Sequence, residues 1–206
     1  MLEAHNLQCS RGGHRLFSGK SFKLDPGTLA WIRGRNGSGK TTLLRTISGL
    51  SPVDEGEVRW RGRNIRKHAD EFRRELMFMG HAVALKEDLS PLENLRILMQ
   101  IAGRAISAPA ALSALAAVGL KGREHLPVKY LSQGQKRRVH MARLRLSRDC
   151  PLWLLDEPLT ALDAEGVAAL QGLLEEYLRK SGIVVMTSHQ EINIESVQSL
   201  HVQLPA

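Results

Sequence analysis

The sequence predicts an α/β fold of one domain, 206 residues long, with a mostly parallel core sheet, an antiparallel β-rich opening lobe and a helical insert at about 81–135. Three observations carry that reading. The apolar run LAWI (29–32) leads into the glycine-rich GRNGSGKTT (34–42) and then into the helix-compatible LLRTISGL (43–50). Two further short apolar runs, in CPLWLLDEP (150–158) and GIVVMTSH (182–189), flank the helical stretch DAEGVAALQGLLEEYLRK (163–180). Strand, helix, strand is the pattern of a parallel sheet. Between the glycine loop and these runs, from about Glu71 to Leu131, the texture changes to helix formers.

Taken in order, LEAHNLQC (2–9), RLFSGKSFKL (15–24) and TLAWIRG (28–34) read as short strands parted by glycine and proline turns, and together they make the β-rich opening lobe. The glycine loop follows. Gly34, Gly37 and Gly39 permit a tight turn whose backbone N–H groups converge on one anionic point at a helix N-terminus, which suits a phosphate. Lys40 would reach the β and γ phosphates and the Thr41 hydroxyl would coordinate Mg²⁺; Gly34, four residues, Gly39, Lys40 and Thr41 complete the P-loop spacing. Asn36, Ser38 and Thr42 belong to the same nucleotide-binding loop. A glycine turn with a surface lysine is the bland alternative, and the strand-then-helix context weighs against it.

The insert contains PLENLRILMQIAG (91–103) and APAALSALAAVGL (108–120), in which Leu112, Leu115 and Val118 recur at helical spacing. YLSQGQKRR (130–138) then sets Ser132 and Gly134 before an arginine-bearing helix, a second helix N-terminus with room for an anion; by itself this is an ordinary N-cap with a glycine turn. In PLWLLDEP (151–158) an apolar strand ends in Asp156 and Glu157, at the carboxyl edge where ligands of open α/β sheets bind. Asp156 would reach the Mg²⁺ that Thr41 contacts, and Glu157 would polarise the attacking water in line with the γ phosphate. Acidic capping of a helix start is the competing reading, disfavoured by Pro158 after a buried strand.

Bulk properties bound the rest. An apolar content of 43% suffices for one respectable core. No run of eighteen apolar residues occurs and the N-terminus lacks the regions of a signal peptide, so the chain is expected to stay soluble and intracellular. Cys9 and Cys150 stand far apart without a C-x-x-C or a nearby histidine, which supports neither a disulfide framework nor a zinc site. The net charge of +8 gathers in RWRGRNIRK (59–67) and QKRRVHMARLRLSR (135–148). Such a charge-rich helix usually presents a solvated face, so no specific nucleic-acid partner is expected.

The order of these segments resembles the nucleotide-binding domain of ABC transporters along about residues 2–202. GRNGSGKTT is similar to Walker A, LSQGQ (131–135) to the signature, LWLLDE (152–157) to Walker B, TALD (160–163) to the D-loop, and TSH (187–189) to the segment of the switch histidine. LFSGKSF, LPVKYLSQGQKRRV and GIVVMTSHQ further resemble the ATP-binding subunit of bacterial heme exporters in cytochrome c biogenesis. The resemblance implies a P-loop NTPase of the ABC ATPase type, hydrolysing ATP with Mg²⁺ and coupled to transport. It implies a head-to-tail dimer in which residues 34–42 of one copy and Ser132, Gly134 and Gln135 of the other enclose each ATP, joined by Asp163 of the D-loop, while His189 contacts the γ phosphate and Glu157. It also implies integral membrane subunits docking near His81–Glu93, a heme-handling assembly, and a peripheral place on the cytoplasmic face of the bacterial inner membrane.

Three positions depart from the family pattern. Gln133 stands where the signature has glycine. His81 takes the place of the Q-loop glutamine near the metal, where an imidazole would replace an amide, and it reads equally as a core or surface histidine. Arg11 replaces the adenine-stacking aromatic, and its guanidinium plane can stack on a base. A soluble ABC ATPase serving iron–sulfur assembly is the nearest rival, which the motifs do not separate. A DNA-repair ATPase would need a long heptad insertion, and a translation factor two Walker A copies.

Overall fold

The computed structural model describes residues 1–190, 192–194 and 197–205. By its internal contacts the chain divides into two compact units, one of Met1–Met79, Cys150–Pro158 and Glu175–Ala206, the other of Gly80–Asp149 and Leu159–Leu174.

The first unit holds two sheets. Strands β1 (Leu2–Arg11), β2 (His14–Leu24), β4 (Glu55–Trp60) and β5 (Arg63–Asn64) form an antiparallel sheet in the order β2-β1-β4-β5, with Leu2 opposite both Leu24 and Trp60. Strands β3 (Thr28–Arg33), β6 (Leu76–Met79), β7 (Leu152–Asp156), β8 (Ile183–Thr187) and β9 (Gln198–Gln203) form a parallel sheet in the order β6-β7-β8-β3-β9. β3 therefore leaves the opening lobe to which its sequence was assigned. The reason is visible in its burial, since Thr28 to Ile32 are all buried, without the alternation of a half-solvated antiparallel strand. β6 is a second correction: a four-residue strand sits inside the stretch read as helix formers, selected by parallel pairing with β7, Leu76 to Leu152 through Met79 to Leu155.

Helix α1 (Lys40–Ile47) follows β3 and buries Leu43, Leu44 and Ile47 in a core shared with Leu2, Leu7 and Phe17 of the antiparallel sheet and Ile32, Leu154 and Val185 of the parallel one. A fully buried leucine stabilises the fold by roughly 1.5–3 kcal/mol relative to exposure, so this apolar face holds the helix where the glycine loop ends. The short α2 (Ala69–Arg74) adds Phe72, which packs against Trp60. In the basic segment 59–67, Arg59, Arg61 and Arg63 pair with Glu57, Glu75 and Glu71. Cys9 and Cys150 are buried and unbridged.

In the second unit α3 (Pro91–Ile101), α4 (Ala108–Ala116) and α5 (Gln133–Leu146) pack on one another. Ser90 with Glu93, and Ser132 with Gln135, form capping boxes at the starts of α3 and α5, and Ser107 caps α4. Helix α6 (Ala164–Arg179) matches the helical stretch expected between β7 and β8. The reading of α5 as a solvated basic face is corrected, because Arg137, Arg138 and His140 are buried. Their burial is compensated where hydrogen bonds exist: Arg137 donates to the carbonyls of Gly80 and His81, and Arg138 to carboxylates of the same unit.

Candidate functional site

The strand-to-helix turn between β3 and α1 builds the first part of the site. Gly39 is the N-cap of α1 with φ 96°, a left-handed backbone that a side chain would resist, and no side chain caps the helix. The first turn also lacks acidic residues of its own, so its N–H groups and positive dipole end suit an anion. Lys40 is 8% exposed and its Nζ donates to the carbonyls of Gly34 at 2.9 Å and Arg35 at 3.2 Å, folding the cation back over the loop. The Ser38 hydroxyl is buried without a partner. Asn36, Gly37 and Ser38 line one cavity of about 440 Å³ with Arg15 and Arg35. Thr41 and Thr42 line another of about 300 Å³ together with Arg11, Arg45 and Asp54, which sets Arg11 beside the loop's terminal threonines.

The carboxyl edge of the parallel sheet supplies the second part. β7 carries Asp156 to its end, 1% exposed, and the Thr41 hydroxyl reaches its two oxygens at 2.9 and 3.2 Å. Thr187, at the end of neighbouring β8, donates its hydroxyl to Asp156 Oδ1 at 2.7 Å and accepts the backbone N–H of Glu157 at 2.9 Å. One hydroxyl thereby orients both acidic residues. Glu157 has φ 52°, unusual for a residue with a side chain, and its Oε1 lies 3.2 Å from His189 Nε2. The oxygen-only donor set of Thr41 and Asp156, with a buried carboxylate, fits a hard divalent cation such as Mg²⁺. Among the described residues, no group of three His, Cys, Asp or Glu side chains could hold a metal by itself.

The remaining expected site residues belong to the second unit. The Ser132 hydroxyl accepts from the backbone N–H of Gln135 at 3.2 Å while Gln135 Oε1 accepts from that of Ser132 at 3.0 Å. Gly134 answers to a close approach, since a Cβ there would come within 2.8 Å of the Ala161 carbonyl. Gln133 and the exposed His81 line a cavity of about 330 Å³ with Lys136, Thr160 and Ala161. Asp163 Oδ1 accepts from Arg138 at 2.7 Å and from the backbone of Gly166 at 3.0 Å, and the guanidinium holds its carboxyl below the usual carboxylate range.

The structure thus brings Thr41, Asp156, Glu157 and His189 together in the first unit and Ser132, Gly134, Gln135 and Asp163 in the second. Sequence reading overlooked Thr187 as an orienting group. Its signal was available: a hydroxyl residue directly after IVVM, at a strand end two positions from the histidine.

Comparison with known proteins places the chain in a family. Residues 17–160 match the family described as ABC transporter. A cytochrome c biogenesis ATP-binding export protein, CcmA, of Dechloromonas aromatica is 52% identical over 94% of this chain and 95% of its own length. The protein of the same name from Nitrosomonas europaea is 50% identical over 99% of this chain and 95% of its own. Among solved structures, an ABC transporter ATP-binding protein from Pyrococcus furiosus superposes with a TM-score of 0.83 at 25% identity, covering 98% of this chain and 96% of that one. A dimeric ATP-binding cassette in a post-hydrolysis state, bound to ADP and phosphate, shares the fold with a TM-score of 0.82 at 24% identity, covering 100% of this chain and 97% of that one. With its P-loop, its paired strand-end acids and these relatives along nearly the full length, the chain belongs to the ABC transporter family and is one of its ATPases.

Proposed function

We propose that this chain is the ATP-hydrolysing subunit of a membrane transporter serving cytochrome c biogenesis, with heme as the cargo that the assembly handles. The observation that carries the catalytic part is the hydroxyl-and-carboxylate group at the sheet edge, in which Thr41 bonds to Asp156 and Thr187 ties Asp156 to the backbone of Glu157. The names of relatives 50–52% identical support the transport part.

In this reading Gly34, Asn36, Gly37, Ser38, Gly39 and Lys40 hold the phosphates, Thr42 adds to the same turn, and Thr41 with Asp156 would hold Mg²⁺. The cation, when bound, neutralises the charge that develops on the phosphates. Glu157 accepts a proton from the attacking water, and His189, at 3.2 Å from its carboxylate, orients it. Arg11 stacks on the base. Two copies associate head to tail, so that Ser132, Gly134 and Gln135 of one, with Asp163, complete the site of the other and exclude water from it. No helix among the described residues is long and apolar enough to cross a membrane. In keeping with the names of its relatives, integral subunits supply the channel, this chain binds at the cytoplasmic face of the inner membrane, and a cytoplasmic helix of such a subunit docks on the His81–Glu93 surface.

Size-exclusion chromatography with Mg²⁺ and ATP tests the core of this proposal. Glu157→Gln keeps side-chain volume while removing charge, so binding persists and hydrolysis slows by the ~10² to 10⁴ typical of general-base assistance. A stable nucleotide-bound dimer is the expected result, and addition of Ser132→Arg returns it to monomer. Hydrolysis by Glu157→Gln at the parental rate would show that another group is the base.

A further inference from the structure

The segment TALD, Thr160 to Asp163, is held to α5 at two points within the second unit. At its start the Ala161 carbonyl lies so close to α5 that a Cβ on residue 134 would meet it at 2.8 Å, and Ala161 itself has φ 63°. At its end stands Arg138, 9% exposed, whose guanidinium donates to the Val118 carbonyl at 3.2 Å, to Asp163 Oδ1 at 2.7 Å and to Glu165 Oε2 at 3.3 Å. The same Asp163 oxygen accepts from Gly166 N–H at the start of α6. A left-handed alanine persists only where its surroundings hold it, and Ala161 lies between the close approach to Gly134 and the Arg138–Asp163 pair. The guanidinium spreads its donors over separate nitrogens, Nη1 to the Val118 carbonyl and Nη2 to the Asp163 carboxylate, a spacing that the single nitrogen of an ammonium does not reproduce. Glu165 is 81% exposed at its side chain and contributes little to the arrangement.

We infer that Arg138 is a positioning residue for ATP hydrolysis, one that holds Thr160–Asp163 in register with the Ser132–Gln135 turn so that both reach the nucleotide as a single body. This rests on the reading of Ser132, Gly134 and Asp163 as nucleotide-facing groups. Arg138 itself touches no reacting atom. Its effect passes through Asp163, and loss of the contact lowers turnover without weakening first capture of ATP by the P-loop.

The test is a double-mutant cycle on the full chain, with steady-state ATP hydrolysis and thermal melting measured for Arg138→Lys, Asp163→Asn and the pair. Each single change is expected to lower kcat about tenfold with KM for ATP unchanged, and the pair to be no slower than either alone. Glu165→Gln is expected to retain parental kcat. Losses that multiply to about a hundredfold in the pair would mean that the two residues act independently, overturning the inference while the reading of the site stands. Parental kcat in Asp163→Asn would overturn the inference together with the D-loop reading. A fall in kcat for Arg138→Lys that merely tracks lost folded protein would reduce Arg138 to a structural role. Asp163 is exposed at its side chain, so Asp163→Asn reads the contact even where the lysine variant is too unstable to purify.

Discussion

His140 lies on α5, 2% exposed, with both ring nitrogens buried and unpartnered. Burial first, then the charges of Arg143 and Arg137, lower its pKa to about 3. The unfolded chain takes up a proton near the ordinary value of 6.5, and the folded chain refuses it until about 3. Stability is therefore complete above the unfolded value and declines as pH falls through that window, with a slope of up to ~1.4 kcal/mol per pH unit from this group. Chemical denaturation of His140→Leu between pH 7 and 4 is expected to show a flatter decline than the parent, and an identical slope would remove the assignment. Arg11 carries a second residue-scale expectation. A guanidinium that stacks on a base reads its π face rather than its edges, so ATP and GTP should compete within about tenfold, roughly 1.4 kcal/mol. Competition binding that prefers ATP a hundredfold would refute the stacking role.

At the scale of elements, two helices of the second unit begin with the same device. Ser90 and Ser132 each accept a backbone N–H three residues on, and Glu93 and Gln135 answer in return. Removing either hydroxyl costs about 1 kcal/mol of capping. The proposed roles differ, because the Ser132 hydroxyl keeps its own proton to donate to a γ phosphate while Ser90 has no phosphate to meet. Ser90→Ala is expected to lower the melting temperature alone. Ser132→Ala should do so to a similar degree and also reduce ATP turnover; equal turnover in the two variants would leave Ser132 as a cap only. The short β6 belongs to this scale as well. Four residues carry too little local pattern to announce a strand, and only the hydrogen-bonding edge of β7 makes one of them.

The whole chain acts, in the proposed function, as one member of a larger assembly. Lys86 and Glu87 lie on the surface expected to receive a membrane subunit, and Glu87 pairs with Lys136 at 3.1 Å. Reversal of charge at Lys86 is expected to weaken co-purification with membrane subunits while ATP binding by the isolated chain stays parental. Reversal at Glu87 should do the same and, through Lys136, more strongly. Unchanged assembly in both variants would move the docking surface elsewhere.

How much of this was legible in advance follows from what each signal depends on. The P-loop, the paired acids after LWLL and the cap of α5 depend on residues adjacent in the chain, and local backbone chemistry specifies them wherever they occur. The fold class followed from the same local runs. β3 could not be assigned from its own residues, since a short run with the apolar centre LAWI pairs with whichever edge is offered, and only β8 and β9 on either side of it selected the parallel sheet. Nor could the burial of Arg137 and Arg138 be read from a string of arginines: desolvation of a guanidinium is tolerated only where carbonyls and carboxylates converge, and these come from residues 80, 81, 118 and 163. Thr187 is the clearest case. Its neighbours in sequence fix its place at a strand end, but its partners Asp156 and Glu157 stand some thirty residues away and reach it only because β7 and β8 pair in parallel, Asp156 beside Thr187. The sequence alone named the residues proposed to carry the chemistry; the tertiary structure decided which hydroxyl orients Asp156 and Glu157, because hydrogen bonds across strands depend on register, and register belongs to the sheet.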